Sequence, residues 1–117
     1  MLSVLIPSYN DSKNLPIALS SALAVKSVSE IIVVNDNSTD DTEELIKEIK
    51  IENNQIKYIK NKKNLGSGLS FIKALENSSN PYIIMLNSDD FFVPQAIDNL
   101  LEFLQINNLD VAYGKMA

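Results

Sequence analysis

Two adjacent carboxylates follow an apolar run near residue 90. The run 83–86 (IIML) is followed by Asn87, Ser88, Asp89 and Asp90. Such a run predicts a buried strand, which would deliver both acids side by side to one edge of a sheet. Two anions at this spacing repel each other, and the arrangement becomes favourable when a divalent cation lies between them and a phosphate-bearing ligand. We therefore interpret Asp89 and Asp90 as metal ligands for Mg²⁺ or Mn²⁺, which prefer carboxylate oxygens.

Polar clusters also follow three other predicted strands, at residues 7–10, 35–38 and 61–66. In open α/β sheets, ligands bind outside the carboxyl ends of the strands, so these clusters are expected to share one edge. Within them, Asp36 could accept hydrogen bonds and Tyr9 offers a flat ring for a nucleobase or sugar. Structural alternatives remain open. Asp36 could belong to a turn and helix cap, the acids at 89–90 to a loop, and Tyr9 to the packed interior.

Five apolar runs predict strands, and four segments with helical spacing predict the helices between them. The strands are expected at Ser3–Ile6, which Pro7 should close, and at Glu30–Val34, Gln55–Ile59, Tyr82–Leu86 and Val111–Tyr113. The helices are expected at 14–25, 38–52, 68–77 and from Pro94 onward, the last with Ile97, Leu100, Leu101 and Leu104 inward. This order predicts an α/β fold: a mostly parallel, Rossmann-like sheet with helices on both faces.

Composition removes several classes of function. The 117 residues suffice for a single domain, 1–117. The absence of cysteine and histidine excludes disulfides, thiolate chemistry, histidine-ligated zinc and serine–histidine–aspartate triads within these residues. A net charge of −5, with ten scattered lysines and no arginine, argues against nucleic-acid binding. Apolar runs are shorter than a membrane span. We expect a cytoplasmic protein, which could lie at the membrane periphery as part of a longer chain.

Known nucleotide-binding loops do not match this sequence. The segment Gly66–Gly68 has two glycines of a dinucleotide-binding fingerprint but follows the third strand and lacks the third glycine. A loop of the GxxxxGK[ST] type, typical of nucleoside triphosphatases, does not occur in residues 1–117.

Four motifs in order resemble the family 2 glycosyltransferases, which have the nucleotide-sugar-binding GT-A fold. The motifs are VLIPSYN at 4–10, EIIVVNDNSTD at 30–40, NLG at 64–66 and PYIIMLNSDD at 81–90. The resemblance extends from Leu2 to about Gly114 and implies a truncated GT-A domain that holds a nucleotide-diphosphate sugar. The acceptor, a glycan or a lipid carrier, is not indicated.

The resemblance also implies roles for single residues. Tyr9 would lie against the nucleobase in a pocket begun by Pro7 and Ser8, and Asp36 would hydrogen-bond the base. Asp89 and Asp90 match the end of the family's Asp-x-Asp-Asp motif. One of them would bind the ribose or the metal, and the other the metal that bridges the diphosphate.

The sequence departs from the family pattern at several positions. Asn35 and Asn87 stand where aspartate is usual, and Asn37 stands where glycine is usual, although asparagine tolerates a left-handed turn. Asn87 removes one charge from the acidic site. Ile72 and Ala74 replace the usual asparagine and glycine after residues 64–66, so no donor contact is assigned there.

In inverting members of the family, a carboxylate in the second half of the enzyme is the catalytic base. We therefore expect this chain to be the donor half of a longer glycosyltransferase, with its catalytic base unassigned. The alternative is a non-catalytic α/β module that binds a nucleotide or a partner. A phosphoacceptor receiver domain is a weaker alternative, because Asp11 is the single acid after the first strand. An exposed apolar face could also drive homodimer formation.

Overall fold

A computed structural model describes residues 1–114, in which strands and helices alternate along the chain. The elements are β1 (Leu2–Ser8), α1 (Leu15–Leu23), β2 (Val28–Asn35), α2 (Thr42–Glu52), β3 (Ile56–Lys60), α3 (Ser67–Glu76), β4 (Tyr82–Met85) and α4 (Pro94–Ile106). The predicted alternation is therefore confirmed through the fourth helix.

The four strands form one sheet in the order β3-β2-β1-β4, and each neighbouring pair is parallel. β1 and β2 lie in the centre, and all seven residues of β1 are buried. Their continuous apolar sequence is what a strand covered on both faces requires. The predicted α/β class with a parallel sheet is confirmed.

Helices cover both faces of the sheet. Side chains alternate between the faces along each strand, so Val4 and Val33 pack with α1 and α2, whereas Leu5 and Ile32 pack with α3 through Ala74. α4 lies beside the loop between α1 and β2. There the Asp98 carboxylate accepts hydrogen bonds from the backbone N–H groups of Lys26 and Ser27 at 3.0 and 2.9 Å.

The fifth strand predicted at Val111–Tyr113 is wrong. Residues 111–114 form no strand, and the side chains of Val111 and Tyr113 are 77% and 91% exposed. Three apolar residues are too short a run to specify a strand without a pairing partner, and within residues 1–114 this segment pairs with no strand. The apolar side of α4 is correspondingly half-buried. That side of the helix borders a groove of about 330 Å³ beside Ile84. The residues of α4 that line the groove are Ile97, Leu100, Leu101 and Leu104.

The prediction that Pro7 closes the first strand is also wrong, since Pro7 is paired with Val34 inside β1. The backbone directions explain why it is tolerated. The carbonyl of Ser8 accepts from Asp36 N–H on the β2 side, and the carbonyl of Leu5 accepts from Leu86 N–H on the β4 side. Alternate residues face opposite neighbours, so the position without an N–H faces β4 and removes no bond to β2.

Candidate functional site

The carboxyl ends of β1, β2 and β4 meet at one edge, and side chains join the loops that follow them. Asn10 N–H donates to Ser38 Oγ at 2.9 Å, and Thr39 N–H donates to Asn10 Oδ1 at 2.7 Å. Ser88 Oγ donates to Asp11 Oδ2 at 2.7 Å, which links the loop after β1 to the loop after β4. The predicted convergence of the polar clusters is therefore confirmed.

Pro7 separates β1 from β4 at this edge. The last paired residues are Leu5 and Met85, and the last bond runs from Leu86 N–H to Leu5 C=O at 2.9 Å. The next bond of a parallel ladder would come from the N–H at position 7 to the carbonyl of Leu86. Proline has no N–H to donate, so the ladder ends there and the chain after Leu86 is free to turn away.

An open cleft of about 520 Å³ lies where the two strands diverge. Its lining residues come from the end of β1, from the loops after β1 and β4 and from the first turn of α3; they are Pro7, Tyr9, Asn10, Asp11, Asn14, Ser67, Asn87, Ser88 and Asp89. The side chain of Tyr9 is 51% exposed, so its ring is available to a ligand. The cleft is thus mostly polar, with one aromatic ring at its wall.

Three of the predicted site residues, Pro7, Tyr9 and Asp89, line this cleft, and three do not. Ser8 is buried, and its Oγ has no hydrogen-bond partner within residues 1–114. Asp90 is exposed beside the cleft, where its Oδ2 accepts a long hydrogen bond of 3.4 Å from Asn87 Nδ2. The structure therefore brings the aromatic ring and one acid together and leaves the second acid at the margin.

Asp36, the remaining predicted residue, is buried, and its carboxylate holds the loop that precedes α3. Oδ1 accepts from Leu65 N–H at 2.7 Å and from Asn61 Nδ2 at 2.9 Å, and Oδ2 accepts from Gly66 N–H at 2.9 Å. Burial acts to raise the pKa of this carboxyl, but these hydrogen bonds outweigh burial and hold its pKa below the ordinary value. Because Oδ2 accepts one bond from the described residues, it retains acceptor capacity for a ligand.

The loop held by Asp36 sets the start of α3. Gly66 has φ +89°, a conformation that favours glycine, and it immediately precedes Ser67 at the cleft. Lys73 Nζ donates to Asn61 Oδ1 at 3.0 Å, which fixes the amide that in turn donates to Asp36. A short polar chain therefore connects α3 to the end of β2.

Two departures from the family pattern have clear local roles. Asn37 has φ +60°, which confirms the predicted left-handed turn. Asn35 is buried; its Oδ1 accepts from Ser38 N–H at 2.9 Å and its Nδ2 donates to Tyr58 OH at 3.0 Å. The amide satisfies both partners, with one acceptor and one donor.

The acids at the cleft are few. Residues 1–114 contain no group of three or more acidic, histidine or cysteine side chains close enough to hold a metal ion together. The Asp89 side chain makes no hydrogen bond or ion pair with those residues, so its oxygens are uncommitted. One or two carboxylates, with water and phosphate oxygens completing the shell, suit Mg²⁺ or Mn²⁺ better than a closed protein cage would. The donor set therefore fits such a cation.

Sequence reasoning missed two polar residues of the cleft, Asp11 and Asn14, as ligand-facing groups. Asn14 Nδ2 donates to Asp11 Oδ1 at 2.8 Å, so the two form one unit directly after β1. Their spacing of three residues just before an apolar helix was the available signal. Ser67 was missed as well, and only the fold brings it to this edge.

Comparison with known proteins shows the family to which this chain belongs. Residues 3–117 match the family described as glycosyl transferase family 2. The chain belongs to this family. The resemblance read from the four motifs is thereby confirmed, and the receiver-domain alternative is not supported.

Relatives in glycosyl transferase family 2 are longer than this chain. The sequence is 33% identical over 116 residues to UDP-Glc:alpha-D-GlcNAc-diphosphoundecaprenol beta-1,3-glucosyltransferase WfaP of Escherichia coli, covering 97% of this chain and 45% of the relative. It is 32% identical over 104 residues to an uncharacterized glycosyltransferase of Mycoplasma pneumoniae, covering 86% and 35%. The chain thus spans less than half the length of these relatives.

Solved glycosyltransferases share the fold. Staphylococcus aureus TarS 1–349 in complex with UDP-GlcNAc superposes with a TM-score of 0.79 at 25% identity, over 92% of this chain and 32% of that chain. The mannosyltransferase PcManGT from Pyrobaculum calidifontis, in complex with GDP-Man and Mn²⁺, superposes with a TM-score of 0.81 at 16% identity, over 88% and 32%. The GT-A fold expected for family 2 is confirmed. None of the helices in residues 1–114 has the length and apolar character needed to cross a bilayer.

Proposed function

We propose that this chain is the donor-binding part of a glycosyltransferase and that it binds a nucleotide-diphosphate sugar with a divalent cation. The observation that carries the proposal is the convergence of Tyr9 and Asp89 on one open cleft, where β1 and β4 diverge. An exposed aromatic ring and an uncommitted carboxylate in the same cleft provide the two contacts that a nucleoside diphosphate with its metal requires.

The nucleoside would lie against the ring of Tyr9, which is half-exposed at the wall of the cleft. Pro7 would contact the nucleoside at the wall of the cleft, and the buried Ser8 would support that wall from behind. Asp36 would contact the base with the acceptor capacity left on Oδ2, while its other bonds keep the loop 64–66 in place. In this arrangement Asp36 is already ionised and oriented before a ligand arrives, because its pKa lies below the ordinary value.

The cation, Mn²⁺ or Mg²⁺, would be held by Asp89 and Asp90, with Asp89 also near the ribose. When bound, it would act as a Lewis acid that stabilises the charge of the departing diphosphate. The residues of this chain would bind and orient the donor around it. Asp90 is exposed next to Asp89 in the chain and accepts a long hydrogen bond from Asn87.

The relatives support this assignment. The Escherichia coli relative is named for a UDP-sugar donor and a lipid-diphosphate-linked acceptor, and Staphylococcus aureus TarS was solved with UDP-GlcNAc. A protein of the same fold was solved with GDP-Man and Mn²⁺. We propose a nucleotide-diphosphate sugar as the donor and a glycan or lipid carrier as the acceptor. The full-length enzyme would supply the catalytic base and could act at the membrane periphery.

Isothermal titration calorimetry with UDP, GDP and dTDP, each with and without Mn²⁺, tests the proposal. We expect one nucleotide to bind in a Mn²⁺-dependent manner, and we expect Asp89→Asn and Tyr9→Ala to weaken that binding. Asp110→Asn is the matched control, because Asp110 is exposed and does not line the cleft. A folded sample that binds none of the three nucleotides would refute the proposal for this chain.

A non-catalytic nucleotide-binding module is the second candidate. It is favoured by Asn87, whose amide donates to Asp90 where the family usually has a third acid. This candidate predicts nucleotide binding that does not depend on Mn²⁺ and is unchanged in Asp90→Asn. The same titrations, with Asp90→Asn added to the variants, therefore separate metal-dependent donor binding from this alternative.

A further inference from the structure

A second buried carboxylate, Glu30, lies near the start of β2, at the end of the sheet opposite to the cleft. It accepts hydrogen bonds from Ser3 Oγ at 2.8 Å, from Ser79 N–H at 2.9 Å and from Ser79 Oγ at 2.7 Å. Lys57 Nζ donates to Oε2, the oxygen that also accepts from Ser79 Oγ, and forms an ion pair with the carboxylate. One side chain thus joins β1, β2 and β3 to the turn that precedes β4.

That turn, residues 77–80, together with Pro81 forms the connection from α3 to β4. Besides the two bonds from Ser79 to Glu30, Asn80 Nδ2 donates to Ser3 Oγ at 3.0 Å and to Ser29 Oγ at 2.8 Å. The turn is therefore fixed to the two central strands immediately before β4 begins. We call this group of residues, Ser3, Ser29, Glu30, Lys57, Ser79 and Asn80, the β4 clamp.

β4 itself has few other constraints on its register. Within residues 1–114 it is an edge strand of four residues that pairs with β1, from Leu2–Tyr82 to Leu5–Met85. On the face of β4 that α3 does not cover, Ile83 and Met85 are 39% and 48% exposed. Burial of apolar side chains is the usual force that fixes register, and here it acts mainly on the other face.

The position of β4 decides where Asp89 lies relative to Tyr9. A slip of one residue would move the following loop by about 3.3 Å along the strand and turn its side chains to the opposite face. Asp89 would then leave the cleft. The β4 clamp is placed at the entry of the strand, where it can prevent such a slip.

We propose that Glu30 is a positioning residue for the donor cleft, acting through the register of β4 without contacting the ligand. The expected effect of Glu30 on nucleotide binding rests on the proposed function, but its expected effect on the register of β4 does not. Glu30 is suited to a permanent role because it stays ionised. Burial acts to raise its pKa, but the bonds from Lys57, Ser79 and Ser3 lower it to about 2.

Hydrogen–deuterium exchange of the β4 amides, measured beside calorimetry with the nucleotide and Mn²⁺, tests the proposal. In Glu30→Ala we expect the amides of Ile84 and Leu86, which face β1, to exchange about tenfold faster or more, because each bond to a buried charge is worth at least that factor. Exchange in the pairing of β2 with β3 should change much less. Nucleotide affinity should fall by a similar factor. Glu48→Ala, at an exposed glutamate of α2, is the matched control and should alter neither quantity.

Ser79→Ala is the milder variant, because it removes one hydroxyl and keeps the backbone bond to Glu30. It should show a smaller change in the same direction, and it serves if Glu30→Ala does not fold. Unchanged exchange of β4 in Ser79→Ala and in any folded Glu30 variant would overturn the proposal, as would an equal increase in all four strands. If the unaltered chain binds no nucleotide, the proposed function fails, and the exchange data still decide whether the clamp fixes β4.

Discussion

Replacing Asp36 with asparagine removes one negative charge from the interior and leaves the side chain almost the same size. The carboxylate accepts three hydrogen bonds, from Leu65 N–H, Gly66 N–H and Asn61 Nδ2, at 2.7 to 2.9 Å. An amide has one oxygen, so its NH₂ group must face at least one of these donors. The substitution therefore leaves a donor of the loop before α3 unpaired and weakens the bonds that remain.

The expected loss of stability follows from these contacts. An unpaired buried N–H costs about 1–3 kcal/mol, and the two remaining bonds lose the extra strength that a charged acceptor gives. Together these effects predict a loss of about 2–4 kcal/mol in the free energy of unfolding at pH 7, a large part of the roughly 5–15 kcal/mol typical of a domain. Urea unfolding followed by far-ultraviolet circular dichroism measures this difference, and an unchanged m-value would show that the folded states are comparable.

The pH dependence gives an independent check. The pKa of Asp36 is lower in the folded chain than in the unfolded chain, so its stabilising contribution is present above the unfolded pKa and is lost as pH falls through the folded pKa. The difference between the unaltered chain and Asp36→Asn should therefore shrink in acid. Asp110→Asn should change stability by less than about 0.5 kcal/mol. Equal unfolding free energies for the unaltered chain and Asp36→Asn at pH 7 would refute this account of the loop.

Three further predictions concern other positions. Pro7→Ala supplies an N–H that can bond to the Leu86 carbonyl, so we expect the thermal midpoint of unfolding to stay equal or rise and the nucleotide affinity measured by calorimetry to fall. An unchanged nucleotide affinity would contradict the role given to Pro7. Asn37→Ala should lower the free energy of unfolding by about 1 kcal/mol because φ is +60°, whereas Asn37→Gly should not; urea unfolding compares them. Glu30 has a pKa of about 2 against an ordinary 4.5, so up to about 3 kcal/mol of the free energy of unfolding should be lost as pH falls from about 4.5 to 2. In Glu30→Gln, the free energy of unfolding should not show this loss over the same pH range.

Much of the sheet could be predicted because its central strands carry their own signal. The apolar runs of β1 and β2 are buried on both faces, and a strand in that position needs a continuous apolar sequence. The position of the polar residues after these strands could also be predicted, because the carboxyl ends of parallel strands share an edge of the sheet. The segment 111–113 has similar residue types, but a strand at an edge depends on a partner that local sequence does not specify.

The contacts of Asp36 could not be predicted in the same way. Sequence placed an acid at the end of β2, and its partners, Leu65 and Gly66, are 29 and 30 residues further along the chain. Which donors a carboxylate meets depends on the path of a loop, and that path is set by Gly66 and by the start of α3. Glu30 was likewise read as an ordinary strand residue, because nothing in the run 30–34 indicates that a later turn closes over it.

The central position of β1 has a consequence for how the chain folds during synthesis. β1 is made first, yet one of its two edges is paired by β4, beginning with Leu2 and Tyr82. At roughly 5–20 residues per second, the ribosome needs about 4–16 s to make the intervening 80 residues. Throughout that interval an apolar strand with an open edge is exposed to other nascent chains. β1 can pair with β2, and β2 with β3, before β4 is made, so closing this edge should be the last step in forming the sheet and should begin when β4 emerges.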